Sequence, residues 1–559
     1  FYAYFHDHLN ILIYGFIEDD TIALLKTFYE NYNLFLIAFG IAAALSLVFI
    51  ISKIILKLKR TEPLPNILMR ILISILLPCI LFIMIRGTFG WNSIGQYADI
   101  SSNLFINKTA INCLFTLQRA IEHKEYEKQD IDYIAQTGYK DNIRQAFADF
   151  LDIDINDIPK TNPENSLIST TAENKLAENM KPNIILIAME SFGSDLIQYN
   201  SNDFNVLGSL KEHFDNDIVF YNFTSEGSVT IQAIEATFTN IVIRYDSSIY
   251  ISQSKYMYNH YPFSSIKPYK QNDYEAVLLY GDNTSWRNMG EFALNIGFDQ
   301  AISAAEVKKD SPRGPWGIYD EYLFDLAFET LSNGENSRFI YILTTTNHPP
   351  YSLPKNYKAL PLNMPASLEE KVLSMSEAQK RFAAYQYANE MLGRFISKIK
   401  NSKYAKNTII AVTGDHSYNS YNISSFFDSI KVPFYLYIPQ EIKPKNINSS
   451  VFGSHLDIMT TLYNLSLSKT QYMSQGTDLL SKKASNNAAF YKNRIISKDY
   501  IVKDDLFADN KEFYIRQKDG LFKESERTPA HSKLLKKFLS AMAISDYLIK
   551  NTGETKKLK

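Results

Sequence analysis

Ala411-Val412-Thr413-Gly414-Asp415-His416 is an apolar run that stops abruptly at a glycine, a carboxylate and an imidazole. Upstream, Thr408, Ile409 and Ile410 extend it, and the block 407–413 predicts a buried strand. A strand ending this way carries two metal-ligating side chains to the carboxyl edge of a sheet, where open α/β sheets bind their ligands. Three other predicted strands end similarly. The run 184–189 leads into Glu190-Ser191-Phe192-Gly193, 276–280 into Gly281-Asp282, and 339–345 into Asn347-His348-Pro349-Pro350. Polar residues gathered at several parallel strand ends are what an α/β active site requires.

Further apolar runs at 218–223 and 434–438, with helix-like segments at 319–331 and 368–397, complete the pattern. It predicts an α/β class with a mostly parallel sheet flanked by helices. Four regions are expected: 1–91 membrane region, 92–180 helical connector and linker, 181–482 catalytic domain, and 483–559 C-terminal subdomain. The last ends in a predicted helix at 532–550 with Leu534, Leu535, Phe538, Leu539 and Met542 on one face, a core-packing stripe with membrane-surface contact as the alternative.

With 559 residues, 46% of them hydrophobic, the chain is long enough for a large core and more than one domain. A net charge of -2 gives no basic field, and no base-reading motif occurs, so nucleic acid is set aside. Cys79 and Cys113 are the only cysteines, which leaves no disulfide framework and no cysteine-built zinc site. Segments of about 34–55 and 67–86 are apolar enough to cross a bilayer. Lys53, Lys57, Lys59 and Arg60 against Glu62 make the connection between them cytoplasmic by the positive-inside rule, so the rest of the chain is expected outside. The first residues read like protein interior, and further spanning helices are expected ahead of Phe1.

The remaining motif is Ser225-Glu226-Gly227-Ser228-Val229-Thr230-Ile231-Gln232-Ala233-Ile234-Glu235-Ala236. A hydroxyl at the start of a helix is well placed to attack an anion, since local amides and the dipole favour negative charge there. Taken alone, Thr230 reads first as an ordinary N-terminal helix residue.

Together these motifs, with Trp316-Gly317, Asp320 and the stretch 454–461, resemble the sulfatase/alkaline phosphatase superfamily. More narrowly, the chain resembles the membrane phosphoglycerol transferases typified by lipoteichoic acid synthase. That resemblance implies one divalent metal ion (Mn, Mg or Zn) held by Glu190, Thr230, Asp415 and His416, with Thr230 as nucleophile. It implies substrate contacts from His348, Asp282, Trp286 and Arg287, although Ser285-Trp286-Arg287-Asn288 stands where the synthases have Phe-Trp-Asn-Arg. His455 reads both as a phosphate-pocket residue and as a packed helix-start histidine. Trp316 reads as a core ring or a site residue.

The implied activity is transfer of phosphoglycerol from a membrane phospholipid donor, phosphatidylglycerol, to a glycan or glycerol-phosphate acceptor through a phospho-threonine intermediate. The implied location is a bacterial cell (inner) membrane, with the catalytic domain on the periplasmic or extracellular side. Phosphoethanolamine transfer to lipid A or a glycan is the alternative on the same core, and a catalytically inactive lipid-binding or sensor relative is the non-enzyme alternative. A sulfatase-type nucleophile is disfavoured, because no Cys/Ser-x-Pro-x-Arg motif follows Gly227.

Overall fold

The computed structural model describes residues 131–551, apart from 246–249, 255, 285, 305–306, 308–310, 335 and 509, together with scattered helical positions between 39 and 121. The chain divides into two compact units, Phe1–Glu122 and His123–Lys559. Most of the expected spanning segments 34–55 and 67–86 lies outside the described residues. Among the described residues no helix is long and apolar enough to cross a membrane.

A seven-stranded sheet organises the second unit. Its strands are β1 (Asn183–Met189), β2 (Ile218–Phe220), β3 (Glu275–Tyr280), β4 (Gln300–Ile302), β5 (Arg338–Leu343), β6 (Thr408–Gly414) and β7 (Phe434–Tyr437). Their spatial order is β2-β7-β6-β1-β5-β3-β4. β7 runs antiparallel to both of its neighbours, and the other pairings are parallel. The sheet is therefore mixed, with a parallel centre.

Both faces of the centre are covered. Along β1, Ile184, Leu186 and Ala188 join one apolar cluster while Ile185, Ile187 and Met189 join the other. Side chains alternate across a strand, so a strand buried on both faces reads as one continuous apolar run. Burying Ile184 to Ile187, each at 1% exposure or less, contributes roughly 1.5–3 kcal/mol per side chain.

The first face is packed by α2 (Thr230–Thr239) and by α6 (His455–Ser466), through Ile234, Phe238, Ile458 and Met459; α1 is Ile143–Leu151. The second face carries α4 (Asp320–Ser332) and α5 (Met375–Lys400), through Leu323, Phe382 and Leu392; α3 is Met289–Ile296. The C-terminal helix α7 (Pro529–Asn551) buries Leu535, Phe538 and Met542, and Phe147 of α1 meets Tyr547 edge-on. Between the sheet and α7 a five-stranded antiparallel sheet, β8 to β12, spans 489–524.

Parallel register brings the strand ends level. Gly414 pairs with Met189, Ala188 with Leu343, and Leu343 with Tyr280. Asp415, Glu190, Thr344 and Gly281 therefore leave the sheet side by side. Gly414 permits this close approach, because a Cβ there would lie 2.4 Å from the Phe192 carbonyl oxygen. Gly414→Ala is expected to cost about 1–3 kcal/mol in denaturant unfolding, since the clash is with backbone that cannot swing aside.

Glu226, wholly buried between the Phe223–Thr224 and Gly453–Ser454 strand pair and α6, accepts a 2.7 Å hydrogen bond from Ser454 Oγ. Burial, reinforced by the charge of Asp457, pushes its carboxyl up to about 8 from an ordinary 4.5. The folded state thus keeps a proton that the unfolded chain releases, and stability falls as pH rises from about 4.5 to about 8. Between pH 5 and pH 8 the loss from this group is on the order of 3–4 kcal/mol. Urea unfolding at the two pH values should show a smaller drop for Glu226→Gln than for the parent.

Candidate active site

Three ligand candidates converge at the level strand ends. One donor atom each from Glu190, Asp415 and His416 lies within 4.8 Å of the others. Asp415 is fully buried and held from several sides. Its Oδ1 accepts the amides of Ser191 at 2.8 Å and His416 at 2.6 Å, and its Oδ2 accepts Thr230 Oγ1 at 2.7 Å. His416 Nε2 stands 3.6 Å from Asp415 Oδ2 and 3.9 Å from Glu190 Oε1.

Thr230 reaches the cluster because of how α2 begins. Val229 is extended, at φ -142° and ψ 149°, and Thr230 is the first helical residue. Gln232 folds its Oε1 back onto the Ser228 amide at 3.0 Å. Gly227 leaves room for that, since a Cβ there would sit 2.1 Å from the same oxygen. The hydroxyl of Thr230 and the amides of the first turn of a ten-residue helix thus face the same edge.

Residues to which the sequence motifs assigned no role complete the cluster. Ser191, in a left-handed conformation at φ 51°, turns the chain off β1, and its Oγ donates to Glu190 Oε1 at 2.7 Å. Such strain persists where surrounding bonds over-determine it. Asn347 Nδ2 donates to the carbonyls of Glu190 at 3.1 Å and Ser191 at 3.3 Å. An amide beside the quoted His348, or a hydroxyl beside Glu190, was the available signal. Asp320, first residue of α4, is buried and takes the Thr346 hydroxyl at 2.7 Å; burial pushes its carboxyl up to about 6.

His348 lies at the β5 end with its Nδ1 2.8 Å from the Pro349 carbonyl, which also accepts Trp316 Nε1 at 2.6 Å. A carbonyl only accepts, so Nδ1 carries the proton and Nε2 keeps its lone pair. The Trp316 ring sits 4.1 Å from the imidazole, centre to centre. Loss of water around the ring lowers its pKa to about 4, and the charges of His416 and Asp415 are felt there as well. The imidazole is neutral near pH 7 beside the ligand cluster.

His455 is 1% exposed, and its Nε2 lies 2.8 Å from the Gly414 carbonyl, so it braces the strand end that delivers Asp415. On the far side of the edge, Arg287 Nη1 donates to Gln253 Oε1 at 2.8 Å. Its guanidinium packs over Tyr250 at 4.8 Å and Trp286 at 5.5 Å. Asp282, at the β3 end, accepts the Ala304 amide on its carbonyl at 3.0 Å.

The donor set fits a divalent ion. Among the described residues no lysine or arginine pairs with Glu190 or Asp415, so two buried carboxylates face each other. Burial first, and then the charge of Asp415, push the Glu190 carboxyl well above the usual range. A cation between them removes both penalties, and carboxylate oxygens with one imidazole suit Mn, Mg or Zn.

Ligand candidates and a helix-start hydroxyl thus share the carboxyl edge of a parallel-centred α/β sheet, where such sheets bind their ligands. The Sulfatase family model matches residues 182–466, and the chain belongs to that family. Lipoteichoic acid synthase 1 of Bacillus subtilis (strain 168) is 25% identical over 350 residues, 59% of this chain and 53% of its own length. Phosphoglycerol transferase I of Xanthomonas axonopodis pv. citri is 26% identical over 241 residues, 41% of this chain and 33% of its own. Both relatives are enzymes. The chain spans about half the length of the lipoteichoic acid synthases it matches. The crystal structure of the lipoteichoic acid synthase LtaP from Listeria monocytogenes superposes with a TM-score of 0.56 at 21% identity, covering 69% of this chain and 99% of that one. That likeness speaks for the fold.

Proposed function

We propose that this chain is a membrane-anchored, metal-dependent phosphoglycerol transferase working through a covalent threonine intermediate. The observation that carries the reading is the 2.7 Å contact between Thr230 Oγ1 and Asp415 Oδ2 inside the Glu190–Asp415–His416 cluster. Named relatives that are a lipoteichoic acid synthase and a phosphoglycerol transferase support the choice of transferred group.

A divalent ion held by Glu190, Thr230, Asp415 and His416 would favour the alkoxide of Thr230 and offset charge on the phosphoryl oxygens. Asp415 Oδ2 already accepts the hydroxyl hydrogen, so it orients Oγ1 and receives its proton as attack begins. Oγ1 then bonds to the phosphorus of phosphatidylglycerol, the bond from phosphorus to the diacylglycerol oxygen breaks, and that oxygen takes a proton from water as Asp415 gives the Thr230 proton back to water. First-turn amides of α2 stabilise the charge on the phosphoryl oxygens. In the second half, an acceptor hydroxyl attacks the same phosphorus and Thr230 Oγ1 leaves. His348, neutral with Nε2 unprotonated, accepts the hydrogen of that hydroxyl. Asp282, Trp286 and Arg287 line the glycerol side, and His455 enters the reading chiefly as the brace beneath Gly414.

The anchoring belongs to the same proposal. Two apolar segments, 34–55 and 67–86, flank a basic connection and would tether the domain on the outer, periplasmic or extracellular face of a bacterial cell membrane. Lipid head groups would then lie within its reach. Incubating the chain with vesicles of labelled phosphatidylglycerol tests the donor: labelled diacylglycerol should appear. Preference for phosphatidylethanolamine would replace this reading with phosphoethanolamine transfer.

A further inference from the structure

Arg381 lies on α5, against the sheet face opposite α2, and its side chain is completely buried. Its Nη1 donates to Ser420 Oγ at 3.0 Å. Its Nη2 stands 3.6 Å from Asp195 Oδ2, with both side chains 1% exposed or less. The guanidinium also lies 5.5 Å over the Tyr418 ring. Asp195 sits in the short 3-10 turn Ser194–Tyr199 on the segment that leaves β1 with Glu190; Tyr418 and Ser420 sit on the loop that leaves β6 with His416. One turn further along α5, Tyr385 donates its hydroxyl to the Gly193 carbonyl at 2.8 Å and packs 5.4 Å from Phe192.

The two loops also touch. A Cβ on Gly193 would lie 3.3 Å from Ser417 Cβ, next to His416 in the chain. One buried cation therefore grips both loops close to where they present ligand candidates. Apolar packing could fill the same volume without the cost of a buried charge. A guanidinium adds a rigid planar fork, here one hydrogen bond to Ser420 on one side and a 3.6 Å ion-pair contact with Asp195 on the other.

We propose that Arg381 is a positioning residue that locks the β1 loop to the β6 loop through Asp195 and Ser420, and so fixes the separation of Glu190 and His416 for a divalent ion. The proposal rests on the metal-dependent reading above. It assigns to α5, which carries none of the ligand candidates, control over how tightly the ion is held.

The test measures Mn²⁺ binding to the purified full chain by calorimetry, alongside transferase activity across a Mn²⁺ titration. Arg381→Lys keeps the charge but cannot reach both loops, and its Mn²⁺ affinity should fall about 10–100-fold, as for other groups that orient metal ligands. Excess Mn²⁺ should restore its activity. Asp195→Asn should weaken binding in the same direction, and the Arg381→Met/Asp195→Asn pair should bind less weakly than the two single losses combined. Parental Mn²⁺ affinity in folded Arg381→Lys and Asp195→Asn would overturn the proposal, as would an activity loss that excess Mn²⁺ leaves in place. These two variants decide the matter even if Arg381→Met does not fold. Asp415→Asn is the control. Parental chain binding Mn²⁺ no better than this control overturns the metal reading and the proposal together; tight binding by both parent and Arg381→Lys overturns the proposal alone.

Discussion

Thr230→Ala is expected to lower diacylglycerol release from phosphatidylglycerol by about 10⁴-fold or more, the scale of losing a covalent nucleophile. The cause is local. Oγ1 makes its hydrogen bond to Asp415, and the rest of Thr230 starts a helix that alanine starts equally well. Unfolding free energy should shift by no more than about 1 kcal/mol, so lost activity cannot be lost fold. Thr230→Ser retains the hydroxyl at the same helical position and should stay orders of magnitude above the alanine variant. Comparable release by Thr230→Ala and the parent would remove Thr230 from the chemistry.

The second large effect is expected from Asp415→Asn. An amide has the shape of the carboxylate, and its oxygen can still accept the amides of Ser191 and His416. Its nitrogen would then face Thr230 Oγ1, reversing the hydrogen bond that orients the hydroxyl, and the charge that balances an ion is gone. Affinity for Mn²⁺ should drop at least about 100-fold, beyond the 10–100-fold typical of groups behind the ligands, and transfer should stop. Stability without metal should hold or rise, because Glu190 no longer faces a buried like charge. Calorimetry and denaturant unfolding on the same preparation separate the two effects. A metal-free protein strongly destabilised by the substitution would point to a structural carboxylate instead.

The central strands were legible because they are buried on both faces. Runs such as Ile184-Ile185-Leu186-Ile187 stay apolar through every residue, and their ends fall where the polar residues begin. β4 (Gln300–Ile302) was not legible: three residues at the sheet edge, none of them fully buried, leave no run to detect. The apolar stretch 218–223 splits into Ile218–Phe220 and Phe223–Thr224, because Tyr221 points outward at 42% exposure while Phe220 and Phe223 are both buried. The helix expected from 368 starts at Met375. Leu368 belongs to a separate turn, Ala366–Glu369, and neither glycine nor proline marks the break.

At the site, Glu190, Asp415 and His416 could be picked out because each follows a buried strand, Thr230 only through the family resemblance, and the structure brings the four together. The groups that hold them are a different matter. Ser191 meets Asp415 across 224 residues of sequence, and Asn347 meets Glu190 across 157. Arg381 sits mid-helix among residues whose spacing reads as ordinary core packing. Contacts of that range leave at most a polar neighbour beside a motif residue as a local sign, and the register of the parallel strands brings them together.

The central claim is a covalent phosphoglycerol ester on Thr230. Its most direct measurement is mass spectrometry of the peptide containing Thr230 after the full chain has been mixed with phosphatidylglycerol vesicles and quenched in acid before turnover completes. The peptide should gain the mass of one phosphoglycerol on Thr230, a gain absent from Thr230→Ala and cleared when a hydroxyl acceptor is added. An unmodified Thr230 peptide from actively turning-over enzyme, or the same group on another residue, would contradict it.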